Sequence, residues 1–359
     1  MAASFVSYHA CYSISYSLAK QSQYLSKSKL PKPESSRNGC GSTGAKINAV
    51  AVTETLDTKV MQTRQNIPTF KQFADPHRQA LIIDNGVTYR QTVVIRSYEV
   101  GPDKTATLES ILNLLQETAL NHVWMSGLLG DGFGATHGMA RNNLMWVVSR
   151  MKLQVDHYPI WGEVLTLDTW VGASGKHGMR RDWELRSQAT GVVFARATST
   201  WVMMNQKTRH LSKMPDEVRA EISPWFIEKR TIIEDTPEKI KKLDDTAKHA
   251  TSSLKPKRSD LDMNHHVNNV KYVGWLLEAM PDKFMDEHQL CDITLEYRRE
   301  CGSSDIIQSL SEPDEDNSIN GTLKYTHILQ TKGELRNEEI VRGRTTWKKK
   351  HSNTQFPKY

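Results

Sequence analysis

Asp262, Asn264 and His266 stand at i, i+2 and i+4 within Arg258-Ser259-Asp260-Leu261-Asp262-Met263-Asn264-His265-His266-Val267-Asn268-Asn269. An acid, an amide and an imidazole in so short a span can accept a proton, donate to an oxyanion and orient a water. Further along lies a second polar cluster, Glu296-Tyr297-Arg298-Arg299-Glu300-Cys301, which adds a carboxylate and a thiol. The two together suggest hydrolysis of an acyl bond. Each residue also has a purely structural reading. Asp262 and Asn264 suit a turn or a helix cap. Glu300 suits an ion pair with Arg298 or Arg299, and Cys301 suits a small buried position.

Periodicity predicts the elements that would position these groups. Thr92 to Tyr98 reads as a strand. Leu108, Ile111, Leu112, Leu115 and Ala119 then mark one face of a helix, with Thr107 suited to cap its start and Gly127 to end it. Four strand-like runs follow, near 142–156, 163–172, 178–188 and 192–205. The second half repeats this order. Val267 to Met280 reads as a helix stopped by Pro281, followed by strands near 291–299, 304–311, 319–330 and 338–349. One unit is a long helix followed by an antiparallel sheet, which is the hotdog arrangement. The expected fold class is α+β, a tandem double hotdog able to pack as an internal pseudo-dimer, the alternative on pattern alone being an unrelated α+β fold. The expected divisions are 86–211 for the N-terminal hotdog, 212–250 for a charged linker, 251–350 for the C-terminal hotdog and 351–359 for a tail.

The first 50 residues differ in kind. They hold eleven Ser, six Lys or Arg and a single acid, Glu34, as an organelle transit peptide would. Residues 51–85 are polar and irregular and read as a linker. Most of the formal charge of +6 lies in that leader, so the basic balance is no sign of nucleic-acid binding. No run of 18 apolar residues is present, so a spanning helix is not expected. Cys11 and Cys40 fall in the leader, and Cys291 and Cys301 show no CxxC pairing. Neither a disulfide framework nor a cysteine zinc site is expected, and no cofactor or metal motif stands out.

Several long strings resemble plant plastid acyl-ACP thioesterases, the B class more than the A class. They include Leu114-Leu115-Gln116-Glu117-Thr118-Ala119-Leu120-Asn121-His122-Val123, Gly178-Met179-Arg180-Arg181-Asp182-Trp183, Trp201-Val202-Met203-Met204-Asn205, His266-Val267-Asn268-Asn269-Val270-Lys271-Tyr272 and Thr294-Leu295-Glu296-Tyr297-Arg298-Arg299-Glu300-Cys301. The resemblance runs from about residue 85 to 349. It implies a tandem hotdog in the plastid stroma that hydrolyses the thioester between a fatty acyl chain, mainly saturated, and acyl carrier protein. It maps the active-site residues onto Asp262, Asn264, His266, Glu300 and Cys301. Two features depart from the family: His265 stands where Gln is usual, and 51–85 is polar where an apolar anchor is common.

An imidazole is suited to move protons near neutral pH, which points to His266. Glu300 would orient it or a water. Asp262 would act as a base or as a nucleophile forming a mixed anhydride, and Asn264 would hold the carbonyl or oxyanion. Helix amides near 268–270 would add to that charge stabilisation. Cys301 offers a second scheme, a Cys–His–Asn set forming an acyl-enzyme. The carboxylate and water route is preferred because hotdog thioesterases generally work without a thiol nucleophile. By the same resemblance the acyl chain lies in the first hotdog, with candidates Leu115, Ala119, Val123, Met139, Met145 and Met203. Acyl carrier protein is acidic, so Arg180, Arg181, Lys207, Arg209, Arg298 and Arg299 are candidates for docking it. A homodimer is compatible with the fold.

Overall fold

The computed structural model describes residues 71–130, 134–233, 239–263, 265–314, 321–333 and 337–350. The transit peptide expected over 1–50, most of the linker expected over 51–85, Asn264 and the tail 351–359 lie outside the described residues.

The first half carries β1 (Ala74–Asp75), β2 (Ala80–Ile83), β3 (Thr88–Val94), α1 (Leu108–Met125), α2 (His137–Arg141), β4 (Leu144–Val155), β5 (Val164–Ser174), β6 (Gly178–Ser187), β7 (Val193–Asn205) and β8 (Leu211–Ser212). After α3 (Asp216–Ile222), the second half carries β9 (His249–Leu254), α4 (Lys271–Leu277), α5 (Asp282–Glu287), β10 (His288–Tyr297), β11 (Ile307–Pro313), β12 (Thr322–Thr331) and β13 (Glu338–Lys349).

The strands form one 13-stranded antiparallel sheet in the order β1-β2-β3-β5-β6-β7-β4-β10-β13-β12-β11-β9, with β8 on β7. From edge to centre, β3-β5-β6-β7-β4 and β9-β11-β12-β13-β10 are the same sequence of elements. The two copies meet where β4 pairs β10, with Leu153 opposite Ile293 and Met151 opposite Leu295. This central seam turns two half-sheets into one and leaves neither central strand with an open edge.

α1 forms as its periodicity predicts. The Thr107 hydroxyl accepts the Ser110 amide at 3.1 Å, Ile111, Leu112 and Leu115 are buried, and Gly127 takes φ +73 just past the end. Val273 and Leu276 of α4 join the same core, together with Leu153, Leu295 and Trp183. The two helices also meet through Lys271 and Glu109, 3.4 Å apart.

The second helix is shorter than expected. Val267 pairs with Leu261 in an isolated bridge, and the Asn268 side chain takes the Val270 amide at 3.1 Å, so the helix starts only at Lys271. Asparagine competes for backbone groups in this way and suits helix ends. Pro281 then disfavours helix in the residue before it and caps α5.

Two expected linkers are partly structured. Within 51–85, Ala80 and Ile82 of β2 bury against Tyr89 and Met125. Within 212–250, α3 packs Val218 and Ile222 against Met139 and Met203, and the chain beyond lies along β5, where Phe226 bridges Val171 and Trp170 Nε1 donates to the Lys229 carbonyl at 2.8 Å. The few apolar residues that dock this strap are diluted by charges, so periodicity does not reveal it. Among the described residues no helix is long and apolar enough to cross a membrane.

Candidate active site

His266 sits at the end of a tight loop. The Asp262 amide donates to the His266 carbonyl at 2.7 Å, and Asp262 Oδ1 accepts the His266 amide at 3.1 Å. The aspartate is thus both a turn residue and a carboxylate beside the histidine backbone. His265 between them is exposed, at φ +62, where its amide donates to the Asp262 carbonyl at 3.1 Å. The loop aims the two neighbouring imidazoles differently, so His265 lies in solvent.

The second cluster arrives from the end of β10. The Arg298 and Arg299 amides both donate to the Ile340 carbonyl, which holds the chain beside β13 as it leaves the sheet. Two residues later the Cys301 amide donates to the Tyr272 hydroxyl at 3.3 Å. Tyr272 belongs to α4, directly after the His266 loop, so one helix ties both clusters together. Between these two anchors Glu300 projects toward the histidine, with Oε2 3.7 Å from His266 Nε2. Both side chains are about a third exposed, at 38% and 36%. That access suits groups that must meet a substrate.

The expected partners of Glu300 go elsewhere. Arg298 pairs with Glu296, and Arg299 with Glu338. Glu300 instead pairs with Arg209, 91 residues earlier in the chain. In the sequence Arg209 is only a candidate docking cation, with no link to Glu300. The only sequence signal for Tyr272 is its place in the string that follows His266.

Cys301 is 1% exposed, with Sγ 3.5 Å from the Tyr272 hydroxyl. Burial pushes its thiol up to about 11. The same burial, with Cys301 beside it, raises the Tyr272 phenol well above the ordinary range. The amides expected to stabilise charge near 268–270 are partly spoken for: Asn268 donates to the Asp260 carbonyl, and Val270 to the Asn268 side chain.

The docking candidates Arg180 and Arg181 require correction. They are 6% and 4% exposed, because β6 is an inner strand with both faces covered. Arg180 Nε pairs with Asp182 at 2.6 Å and Nη2 reaches the Lys229 carbonyl of the strap at 2.9 Å. Arg181 turns to the other face, where Nη1 lies 3.1 Å from His122 Nδ1 and donates to Thr169 Oγ1 at 3.2 Å. Alternation along a strand sends adjacent side chains to opposite faces, and here both are interior. Lys207, Arg209, Arg298 and Arg299 are exposed.

The acyl-chain candidates fall in three places. Leu115 is buried in the main core, with Ala119 partly buried against it and Val123 half-buried one turn on. Met139 and Met203 are buried together under α3. Met145 is half-buried and its Sδ lies 3.3 Å from Arg209 Nη1, close to Glu300. Among the described residues no group of three or more His, Cys, Asp or Glu could hold a metal ion.

The first half contains the same loop without its chemistry. The short turns Ser97–Glu99 and Arg258–Asp260 are each closed by an acid accepting the amide three residues back: Glu99 from Arg96 and Asp260 from Lys257. Gly101 donates to the Thr105 carbonyl at 2.9 Å as Asp262 does to His266. Lys104 takes φ +61 as His265 takes +62. Thr107 donates to the Glu99 carbonyl at 2.9 Å as Asn268 does to Asp260 at 2.8 Å. The Asp156 and His157 amides share the Phe194 carbonyl as those of Arg298 and Arg299 share Ile340. In this register Gly101 and Thr105 stand for Asp262 and His266, and Tyr158 and Pro159 for Glu300 and Cys301. The backbone is duplicated, and only the second copy brings an imidazole and a carboxylate together.

Two repeated hotdog units in one sheet define a double-hotdog protein. The model of the acyl-ACP thioesterase N-terminal domain matches residues 86–222, and that of the C-terminal domain matches residues 243–349. The chain belongs to the acyl-ACP thioesterase family, and it is an acyl-ACP hydrolase. It is 50% identical over 285 residues to the chloroplastic palmitoyl-acyl carrier protein thioesterase of Gossypium hirsutum, covering 78% of this chain and 68% of that protein. It is 43% identical over 284 residues to the chloroplastic dodecanoyl-[acyl-carrier-protein] hydrolase of Umbellularia californica, covering 79% and 72%. The solved 12:0-ACP thioesterase from Umbellularia californica superposes with a TM-score of 0.70 at 44% identity, covering 74% of this chain and 96% of that one. An acyl-ACP thioesterase from Bacteroides thetaiotaomicron VPI-5482, at 19% identity and a TM-score of 0.60, shares the fold. The chain spans about two thirds of the length of the curated relatives it matches.

Proposed function

We propose that this enzyme releases saturated fatty acids from acyl-ACP in the plastid stroma, with His266 moving the protons. The observation that carries the reading is the approach of His266 Nε2 to Glu300 Oε2, 3.7 Å, where the two clusters meet. The plastid assignment is supported by the chloroplastic names of the relatives, and the preference for saturated chains by the palmitoyl and dodecanoyl groups in those names.

A water attacks the thioester carbonyl while the imidazole takes its proton. The Glu300 carboxylate stabilises the imidazolium that forms. Asp262, beside the His266 backbone, orients the water, and Asn264 donates to the oxyanion. The C–S bond breaks, and the imidazolium returns its proton to the departing thiolate of the phosphopantetheine arm. The products are a free fatty acid and the carrier thiol. The raised thiol and closed surroundings of Cys301 favour this route over an acyl-enzyme on sulfur. The acyl chain lies against the α1 face of Leu115, Ala119 and Val123, or beside Met139 and Met203, while Met145 faces the other side of β4. Exposed Lys207, Arg298 and Arg299 offer positive charge to the acidic carrier.

The test is to incubate the purified protein with saturated and unsaturated acyl-ACPs of graded length and measure the fatty acid released. Release from a narrow saturated set, abolished by His266→Ala, is expected. Preference for unsaturated chains would overturn the substrate, and binding without release would overturn the mechanism.

A further inference from the structure

Glu300 is gripped from the opposite half of the molecule. β7 and β8 are joined by the hairpin 205–210, which is held in several ways. Asn205 Oδ1 accepts the amides of Lys207 and Thr208, each at 3.0 Å. The Asn205 amide donates to the His210 carbonyl, and the Arg209 amide to the Asn205 carbonyl, both at 2.9 Å. The Gln206 amide is anchored on Asn143 at 2.8 Å, just before β4. The turn places Arg209 at φ +57, a conformation that side-chain-bearing residues rarely adopt. Such a backbone persists when its surroundings fix it, and here the fixed direction is toward Glu300.

Two contacts define the guanidinium. Nη1 lies 3.3 Å from Met145 Sδ on β4, and Nη2 meets Glu300 Oε2. The same Glu300 oxygen is the one that faces His266 Nε2. A single carboxylate oxygen therefore lies between a cation of the first half and the imidazole of the second. A glutamate just past the end of a strand has three rotatable side-chain bonds and, with 38% exposure, little packing to fix them. The planar guanidinium presents fixed donors, and a second contact on Met145 steadies it.

As an exposed ion pair this contact adds little to stability. Its value lies in where it leaves the carboxylate. We propose that Arg209 is a positioning residue of the reaction: it holds Glu300 against His266, and the first half thereby completes a site whose other members all lie in the second. This rests on Glu300 working with His266 as described above. It also removes Arg209 from the surface offered to the carrier.

The test uses the full chain with Arg209→Ala, Arg209→Lys, Glu300→Gln and the double variant Arg209→Ala/Glu300→Gln. kcat and KM are measured on an acyl-ACP and on the corresponding carrier-free acyl-pantetheine thioester. Loss of positioning should lower kcat of Arg209→Ala by about ten- to a hundredfold on both substrates. KM should move little, and Arg209→Lys should recover part of the loss. In the Glu300→Gln background, removing Arg209 should cost nothing further, because its effect passes through that carboxylate. The melting temperature of Arg209→Ala should match that of the parent. If Arg209→Ala proves unstable, Arg209→Lys carries the same comparison.

Two results would overturn the proposal. A raised KM for acyl-ACP, with kcat and carrier-free turnover unchanged, would make Arg209 a docking residue. Additive losses in the double variant would mean that it acts elsewhere. Full turnover by Glu300→Gln would instead sink the underlying site, and is distinguishable because that variant leaves Arg209 in place.

Discussion

Removing the Cys301 sulfur separates the two hydrolytic routes. Burial raises the thiol to about 11, against about 8.5 for an exposed cysteine. At pH 8 the thiolate fraction is then about one in a thousand, where an exposed thiol would give about one in four, a deficit of roughly 200-fold. The side chain is also 1% exposed and directed at the Tyr272 hydroxyl. A nucleophile with these properties would need reorganisation before each turnover. Cys301→Ala deletes one buried sulfur and a 3.5 Å contact, so it should lower stability by about 1 kcal/mol and leave kcat within about threefold. His266→Ala, in parallel, should abolish turnover. The assay is kcat and KM on acyl-ACP, with a thermal melt of each variant, followed by the parent's rate from pH 8 to 10. A thiolate nucleophile predicts a rate rising about tenfold per pH unit toward 11, whereas a route through carboxylate and imidazole is level there. A folded Cys301→Ala that binds acyl-ACP without releasing fatty acid would refute the reasoning, as would the steep alkaline climb.

The remaining expectations concern burial and the loop. His327 is fully buried between Ser311 and Thr345, at 2.7 Å from each, and burial lowers its pKa to about 3. The unfolded state then binds a proton that the folded state refuses, so stability is full above about 6.5 and falls as pH drops toward 3, by up to about 1.4 kcal/mol per unit. His122, desolvated beside Arg181, is lowered in the same direction and adds to that slope. Urea unfolding between pH 4 and 7 measures it, and a flat profile would contradict the burial of these imidazoles. Arg180→Ala leaves Asp182 buried without its partner and should cost about 3–5 kcal/mol by urea unfolding. If it instead raises KM for acyl-ACP with stability intact, Arg180 faces solvent and the packing of β6 is misread. His265→Gln should keep kcat within about twofold, since the side chain points into solvent. A large gain would show that the second imidazole interferes with the first.

The sequence by itself determined the repeat. Alternation and helical spacing recur in both halves, and these are local patterns set by the partition of apolar side chains every second or every third to fourth residue. The strands β4 to β7 and β10 to β13 accordingly fall close to where the spacing places them. The residue types that suggest acyl chemistry are legible there too, packed into two short strings. Tertiary structure decided what covers each element and which charges meet. Arg180 and Arg181 read as surface cations because the strap that covers Arg180 lies some 49 residues on, its carbonyls held by the Arg180 and Trp170 side chains, which leaves no periodic trace. Glu300 has arginines adjacent in sequence, yet the β10 exit sends Arg298 and Arg299 to Glu296 and Glu338 while a hairpin of the first half delivers Arg209. The doubled loop is invisible in residue identity, since Gly101 and Asp262 share only a backbone hydrogen-bond pattern. Local chemistry is written in side-chain order, whereas the pairing of distant charges depends on the path of the chain between them. Here that path brings Arg209 of the first half to Glu300 of the second.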